Sequence, residues 1–341
     1  MKKTARTLFI AILAAGFMLA AVLWATALRD NVAADHSVRI FLPTGASFKD
    51  LSDTLRRSGA LKSERHFIIT SRLKSYGRSV KPGSYIIEPE MSNNRIVNML
   101  RAGLQTPVNV TFNNIRTLGE LAGRIGGQIE TDSAALSAFF DDETNYLDDG
   151  FDRRTVISVF IPDTYQLYWT VGAKGFYRRM LKEYRSFWTE ERTAASKDLG
   201  LTPVEVSVLA SIVDEEASRE DEKPRIAGVY INRLQTGMPL QADPTVKFAV
   251  NDFTLRRILN RHLEADSPYN TYKYKGLPPG PIRCPSRSGL EAVLSAEKHD
   301  FLFMVARFDS SGYHHFSRTL SEHNRYASAY RRELNRRRIY R

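Results

Sequence analysis

The sequence predicts an α+β protein: an N-terminal transmembrane helix, one or two small α/β modules, and then a larger α+β domain. Three observations carry this reading. Leu8–Leu28 is a long run without a charge. Strand and helix signals recur in the same order between Val38 and Ile129. From about Arg154 onward the pattern changes to longer helical stretches separated by Pro- and Gly-rich loops.

The uncharged run of about 21 residues can cross a bilayer as a helix, at 1.5 Å per residue. Lys2, Lys3 and Arg6 precede it, which predicts an N-terminus in the cytoplasm and everything after Arg29 outside. A cleaved signal peptide is the competing reading, because Ala25-Thr26-Ala27 resembles a cleavage site. The run is longer than a usual signal core, which favours an uncleaved anchor. No cysteine lies near it, so a lipoprotein anchor is excluded. The one cysteine, Cys284, has no partner for an intramolecular disulfide or a Cys-rich metal site.

Val38–Pro43 reads as a strand, Ser47–Arg57 as a helix ending at Gly59, and Glu64–Leu73 as a second helix. Gly83–Pro89 follows as a strand and Ser92–Ala102 as a capped helix closed by Gly103. Pro107–Phe112 and Thr117–Ile129 resemble the start of a partial second copy. The acidic stretch from Asp141 to Asp152 reads as a domain boundary.

The 341 residues are 43% hydrophobic and 26% charged, an ordinary globular balance. The net charge of +11 is partly local, because Arg331 to Arg341 is densely basic. Such a tail suits nucleic acid, anionic lipid or an anionic polymer, or is simply a solvated end. No nucleic-acid-binding module accompanies it, so no nucleic-acid partner is expected.

The chemistry centres on Thr202–Ala217. Thr202 is an N-cap, Pro203 suits the first helical position, and Glu205 completes a capping box. Val206, Leu209, Ala210, Ile212, Val213 and Ala217 then form an apolar stripe. Of the three acids that follow, Glu216 falls beside that stripe, whereas Asp214 and Glu215 fall well away from it and read as supporting or solvated. A core-facing carboxylate must be paired, or held protonated by a raised pKa, and a general acid at neutral pH needs the second condition. From the helix alone, a structural Glu and a catalytic one are equally open.

Four further segments carry unusual equipment. Phe160–Trp169 combines Asp163 with Tyr165, Tyr168 and Trp169, aromatics suited to stacking on sugars or to an ordinary strand core. In Ala227–Leu234, Asn232 or Arg233 could pair with a carboxylate on the preceding helix. Gln241 and Asp243 precede a Pro-started helix, where Asp is most simply a cap. Tyr269-Asn270-Thr271-Tyr272, followed by Gly276–Ile282, would make a rigid wall for a polyhydroxylated ligand.

Ala210–Glu216, Val229–Leu234, Leu240–Thr245, Tyr269–Tyr272 and Gly276–Ile282 together resemble the endolytic murein transglycosylases (MltG, YceG-like), in that family's order and spacing. Pro162-Asp163-Thr164 and His323-Asn324 resemble it too. The resemblance covers nearly the whole chain. It implies a cytoplasmic tail at 1–7, an anchor at 8–28, a LysM-like module at 37–104, a second partial module and linker at 105–153, and a catalytic transglycosylase domain at 154–341. It departs from the family pattern at Asp214, where a Glu is usual, and at Asn113-Asn114, where a Glu-Gly pair is common.

The resemblance also implies cleavage of peptidoglycan glycan strands between MurNAc and GlcNAc without water as acceptor. Glu216 is the expected catalytic residue. Tyr165, Arg233, Gln241, Asp243, Tyr269, Asn270 and Asn324 are the expected substrate-binding residues. No metal or other cofactor is expected. His314, His315 and His323 lack ligand-like spacing and read as surface or substrate-facing. The expected partners are glycan strands, the inner membrane and cell-wall synthases, with the chain acting as a terminator of strand growth. Hydrolysis with Asp243 as second carboxylate stays open. So do a non-catalytic peptidoglycan-binding scaffold and a lipid- or nucleic-acid-binding protein driven by the basic tail.

Overall fold

The computed structural model describes residues 2–255, 257–309 and 311–336, so the last arginines of the basic tail, Arg337, Arg338 and Arg341, lie outside the described residues. The chain divides into two compact units. One comprises Met1–Val110, Gln128–Thr131 and Tyr165–Gly172; the other comprises Thr111–Gly127, Asp132–Thr164 and Ala173–Arg341.

In the first unit, helix α1 (Lys2–Leu23) runs on into a π-helical turn, Trp24–Leu28. Arg6–Leu28 has a mean hydropathy of 2.5 and its most apolar stretch lies unburied, and it is the one helix among the described residues long and apolar enough to cross a membrane. Strand β1 (Val38–Leu42) alternates buried and outward residues and pairs antiparallel with β2 (Gly83–Ile87), Ile40 facing Tyr85. Between them lie α2 (Phe48–Arg57), started by a Ser47–Asp50 capping box, and α3 (Glu64–Leu73), capped by Ser63. Helix α4 (Asn93–Ala102) is capped by Ser92 and ends at Gly103, whose φ of +71° suits a residue without a Cβ. Leu42, Leu51, Leu55, Phe67, Tyr85, Ile96 and Leu100 form the core of this unit.

The end of the apolar helix is built into this module. Thr26 is buried, and its carbonyl accepts from the Thr70 hydroxyl (3.0 Å) and the Asn93 amide (2.7 Å). Asn93 in turn accepts from Asn31 at 2.8 Å. A cut after Ala27 would remove the acceptor of the buried Asn93 amide and one of two acceptors of Thr70, which also meets the His66 carbonyl at 2.9 Å.

Strand β3 (Val108–Phe112), α5 (Leu118–Gly126), α6 (Ser133–Asp141), β4 (Asp163–Leu167) and α7 (Ala173–Phe187) repeat the order of β1 to α4. Strands β3 and β4 pair with each other, and the division between the units runs through this ribbon. The expected partial copy ending near residue 153 is therefore a longer repetition, because the partner of β3 lies beyond that point. Nor is the acidic stretch a linker. Tyr146 is fully buried with its hydroxyl donating to the Phe140 carbonyl (2.8 Å), and Asp149 accepts from Tyr177 (3.1 Å) and Arg185 (2.8 Å). Local charge resembled a solvated boundary, but Asp149 is a hydrogen-bond acceptor for α7.

The remainder of the second unit contains α8 (Glu190–Asp198), α9 (Pro203–Glu216), α10 (Lys223–Gln235), α11 (Asp243–Ala249), α12 (Asn260–Leu263), α13 (Arg287–Leu294), the antiparallel hairpin of β5 (Phe303–Ala306) and β6 (His314–Ser317), and α14 (Leu320–Arg336). Helix α9 is its axis and packs against α8, α10, α11 and α13. Every residue from Val206 to Val213 is buried. The expected one-sided stripe is thus wrong: with neighbours all round, α9 has no solvent face to keep polar. Its two interior serines are satisfied locally, Ser207 by the Pro203 carbonyl and Ser211 by the Val208 carbonyl, while Ser211 also accepts from the Ile282 amide.

Candidate active site

The start of α9 is built as its residues dictate. The Thr202 hydroxyl accepts from the Glu205 amide (3.2 Å), and Glu205 accepts from the Thr202 amide (2.8 Å), with Pro203 inside the cap. The helix ends on Glu216, where three consecutive carboxylates meet three different environments.

Asp214 is almost fully enclosed and accepts from Lys223 Nζ (2.8 Å), the Ser286 amide (2.7 Å) and the Ser286 hydroxyl (2.7 Å). Gly289 makes room for it, since a Cβ there would stand 2.6 Å from its carboxylate oxygen. Glu215 is bracketed by two guanidinium groups, Arg116 and Arg283, each at 3.0 Å. Neither acid is solvated; of the two roles the sequence left them, supporting or solvated, only the supporting one fits, because α9 is covered on those sides too.

Glu216 differs from both. Among the described residues no cation is ion-paired with it; its carboxylate accepts from the Tyr230 hydroxyl at 3.1 Å. Burial, reinforced by the nearby charge of Asp243, pushes its pKa up to about 7, against the opposing pull of the Tyr230 hydrogen bond and the charges of Lys247 and Arg233. The residue as a whole keeps some solvent access, while its carboxyl end is densely surrounded. Tyr230 is itself buried, and burial followed by the charge of Glu216 holds its phenol well above the ordinary range, so it stays a donor.

A second phenol–carboxylate pair stands at the rim. Tyr272 donates to Asp243 at 2.6 Å, and burial raises the Tyr272 phenol strongly. Thr271 brings the two segments together. Its carbonyl accepts from the Gln241 amide (3.0 Å), and its hydroxyl accepts from the Ala242 amide (3.0 Å) and bonds the Thr245 hydroxyl (2.8 Å). Asp243 is exposed at the first turn of α11 and makes no capping bond, so the simple cap reading fails. Gln241 is exposed beside it, with a left-handed φ of +49° held by the bond to Thr271.

The other expected binding residues fall in varied places. Arg233 is 7% exposed and donates to the carbonyls of Leu240 and Leu302, stacking over Phe303; burial lowers its proton affinity. It ties the Asp243 loop and the β5 hairpin to α10, and neither it nor Asn232 pairs with a carboxylate on α9. The Asn232 amide donates to the carbonyls of His299 and Phe301 instead. Asn270 is completely buried, donating to the carbonyls of Leu263 and Ala265 and accepting from the Tyr272 amide. It shapes the loop and has no free edge to offer a sugar.

Tyr269 packs on Phe248 (4.6 Å between ring centres), and burial pushes its phenol up to about 12. Gly280 lets the loop close over it, because a Cβ there would lie 2.2 Å from the Arg154 carbonyl oxygen. Asn324 is exposed on α14; its neighbour His323 faces inward against Phe303 (5.5 Å) with a buried, unpaired Nδ1. Tyr165, in the first unit, is 7% exposed on β4 and packs as strand core, not as an open stacking platform.

Sequence reasoning missed Tyr230 and gave Tyr272 no separate role. Tyr230 shares the buried face of α10 with Ile226 and Ala227. A hydroxyl on that stripe is the same signal that singled out Glu216.

The model of the YceG-like family matches residues 40–329. A Bacillus subtilis (strain 168) protein named endolytic murein transglycosylase is 30% identical over 328 residues, covering 91% of this chain and 90% of that one. A Streptococcus pneumoniae (serotype 2, strain D39) protein of the same name is 26% identical over 84% of this chain, which spans 57% of its length. The crystal structure of a putative yceG-like protein from Listeria monocytogenes aligns with a TM-score of 0.58 at 27% identity, over 86% of this chain and 99% of that one.

Proposed function

The chain belongs to the YceG-like family, and from that premise we propose that it is a lytic murein transglycosylase whose general acid and base is Glu216. The observation that carries the assignment is the contrast within the acid triplet: Asp214 and Glu215 are bound to cations, while Glu216 meets a phenol and holds its proton up to about pH 7.

Protonated Glu216 donates to the glycosidic oxygen as the bond to the MurNAc anomeric carbon breaks. The resulting carboxylate takes the proton of the same sugar's C6 hydroxyl, whose oxygen closes on the anomeric carbon as a 1,6-anhydro ring. One carboxyl suffices because the acceptor is intramolecular, which removes the entropic cost of recruiting a second molecule. Tyr230 orients the carboxyl and stabilises its anionic form between the two transfers. Asp243, held by Tyr272, raises the proton affinity of Glu216 and offers, with Gln241 and the ring of Tyr269, polar and flat surface to the glycan. Arg233 and Asn270 hold these loops in place.

The apolar helix anchors the chain to the cytoplasmic membrane with its N-terminus inside and the second unit facing the cell wall. The β1–α4 module is LysM-like and engages glycan. In that setting the enzyme releases nascent strands beside cell-wall synthases and so terminates their elongation.

The test is mass spectrometry of fragments released from uncrosslinked glycan strands. Anhydro ends are expected. Reducing MurNAc ends would make the enzyme a hydrolase with Asp243 activating water, and no fragments at all would favour a binding scaffold.

A further inference from the structure

Outside the site around Glu216, the β5–β6 hairpin and α14 enclose a groove of about 390 Å³. Its floor is a stacked pair, His315 on Tyr326, with ring centres 4.4 Å apart and planes within 8°. Phe308, 44% exposed, adds a second apolar wall. Three guanidinium groups border it, Arg307, Arg325 and Arg332. One carboxylate, Asp309, sits among them and pairs with Arg307 at 2.8 Å, so the border keeps an excess of positive charge. Burial, then the charge of Arg307, lowers the proton affinity of His315, which keeps the floor neutral.

The groove shares the β5–β6 hairpin and α14 with residues next to the proposed catalytic site. Tyr326, Ala329 and Arg332 line it along α14, and His323 lies on the same helix about one turn before Tyr326, outside the lining. At the near end His323 stands against Phe303, over which Arg233 stacks. Arg325 follows His323 by two residues, and Arg332 stands at the far end.

We propose that this groove is an acidic-peptide subsite, which takes the carboxylate-bearing peptide stem of a sugar in the bound strand, a role that rests on the transglycosylase reading above. The groove fits that chemistry. Guanidinium groups pair with carboxylates in a two-pronged geometry, and a flat aromatic floor suits the amide planes and short aliphatic parts of a peptide. The sugars themselves are mostly hydroxyl and amide and give three arginines nothing to neutralise.

The double variant Arg325→Gln/Arg332→Gln changes only exposed side chains of α14. Full-length protein in detergent is assayed on glycan strands carrying their peptide stems and on strands stripped of them. The variant is expected to raise KM about tenfold on stem-bearing strands, equivalent to about 1.4 kcal/mol, with no change on stripped strands. An unchanged KM on stem-bearing strands, or an equal rise on both, overturns the subsite. So does a variant that keeps its KM but loses binding to phosphatidylglycerol vesicles, which would make the groove a membrane contact. Should wild type cleave neither substrate, the catalytic reading fails separately, and calorimetric titration of a free acidic tetrapeptide still decides. Binding by wild type and about tenfold weaker binding by the variant supports the subsite; no binding by wild type overturns it.

Discussion

Glu216 and Tyr230 form the smallest unit on which the proposed chemistry depends. A carboxyl with a pKa near 7 is about half protonated at neutral pH, so the rate should fall as pH rises past that value, when the acid form is lost. The Tyr230 bond favours the charged form and so holds the value down. Tyr230→Phe removes that restraint. It should move the alkaline limb of the kcat/KM profile to higher pH, with a several-fold fall in kcat because the carboxylate loses its donor between proton transfers. A limb that stays put or moves down would show that the phenol does not tune Glu216. Unlike a surface acid, Glu216 also opposes folding as it ionises: its folded pKa lies above the unfolded value, so stability is lost as pH rises from about 4.5 to about 7.

Helix α9 shows how an element can be legible at its ends and opaque in its middle. Its start follows from Thr202, Pro203 and Glu205, whose interactions are local and written in spacing. Its surroundings are not local. Four neighbouring helices cover it, so the apolar stripe had no meaning as a face, and of the supporting or solvated roles left to Asp214 and Glu215 the solvated one followed from that error. The Tyr272–Asp243 pair was illegible for the same reason, because Thr271 joins two segments 26 residues apart or more. The family motifs did gather here: Glu216, Tyr230, Asp243 and Tyr272 all come from the quoted stretches, although Asn270 and Arg233 prove to be structural within them.

At the scale of that element, the Lys223–Asp214 pair fastens the end of α9 to the start of α10 with both side chains almost fully enclosed. Lys223→Met leaves a buried carboxylate without its cation and should cost about 3–5 kcal/mol, read as a shift in the denaturant midpoint. A loss below about 1 kcal/mol would mean that water reaches Asp214 and that the pair does not hold the helix end.

At the scale of the whole molecule, repetition of element order and a long apolar helix are what the sequence showed most plainly, and where a boundary was misplaced. The order β1–α2–α3–β2–α4 was read from caps and alternation, since each signal spans a few residues. Its second appearance was cut short because β4 lies far from β3 along the chain, and acidic turns that serve α7 resembled a linker. The apolar helix is joined to the rest of the first unit through Thr26. Protein extracted from membranes should therefore have the mass of a chain that retains Arg6–Leu28. A mature mass beginning just after Ala27 would mean that the segment is a removed signal and that the Asn93 amide finds another acceptor.

The central claim is that Glu216 moves the proton. Its most direct measurement is the rate at which full-length Glu216→Gln protein releases fragments from uncrosslinked glycan strands, beside wild type, with folding checked by thermal melting. Gln keeps the size and the contact with Tyr230 but cannot donate and retrieve a proton. A folded variant slowed by about 10²–10⁴-fold is the expected result. Release at the wild-type rate would contradict it and return Glu216 to the status of a buried structural acid.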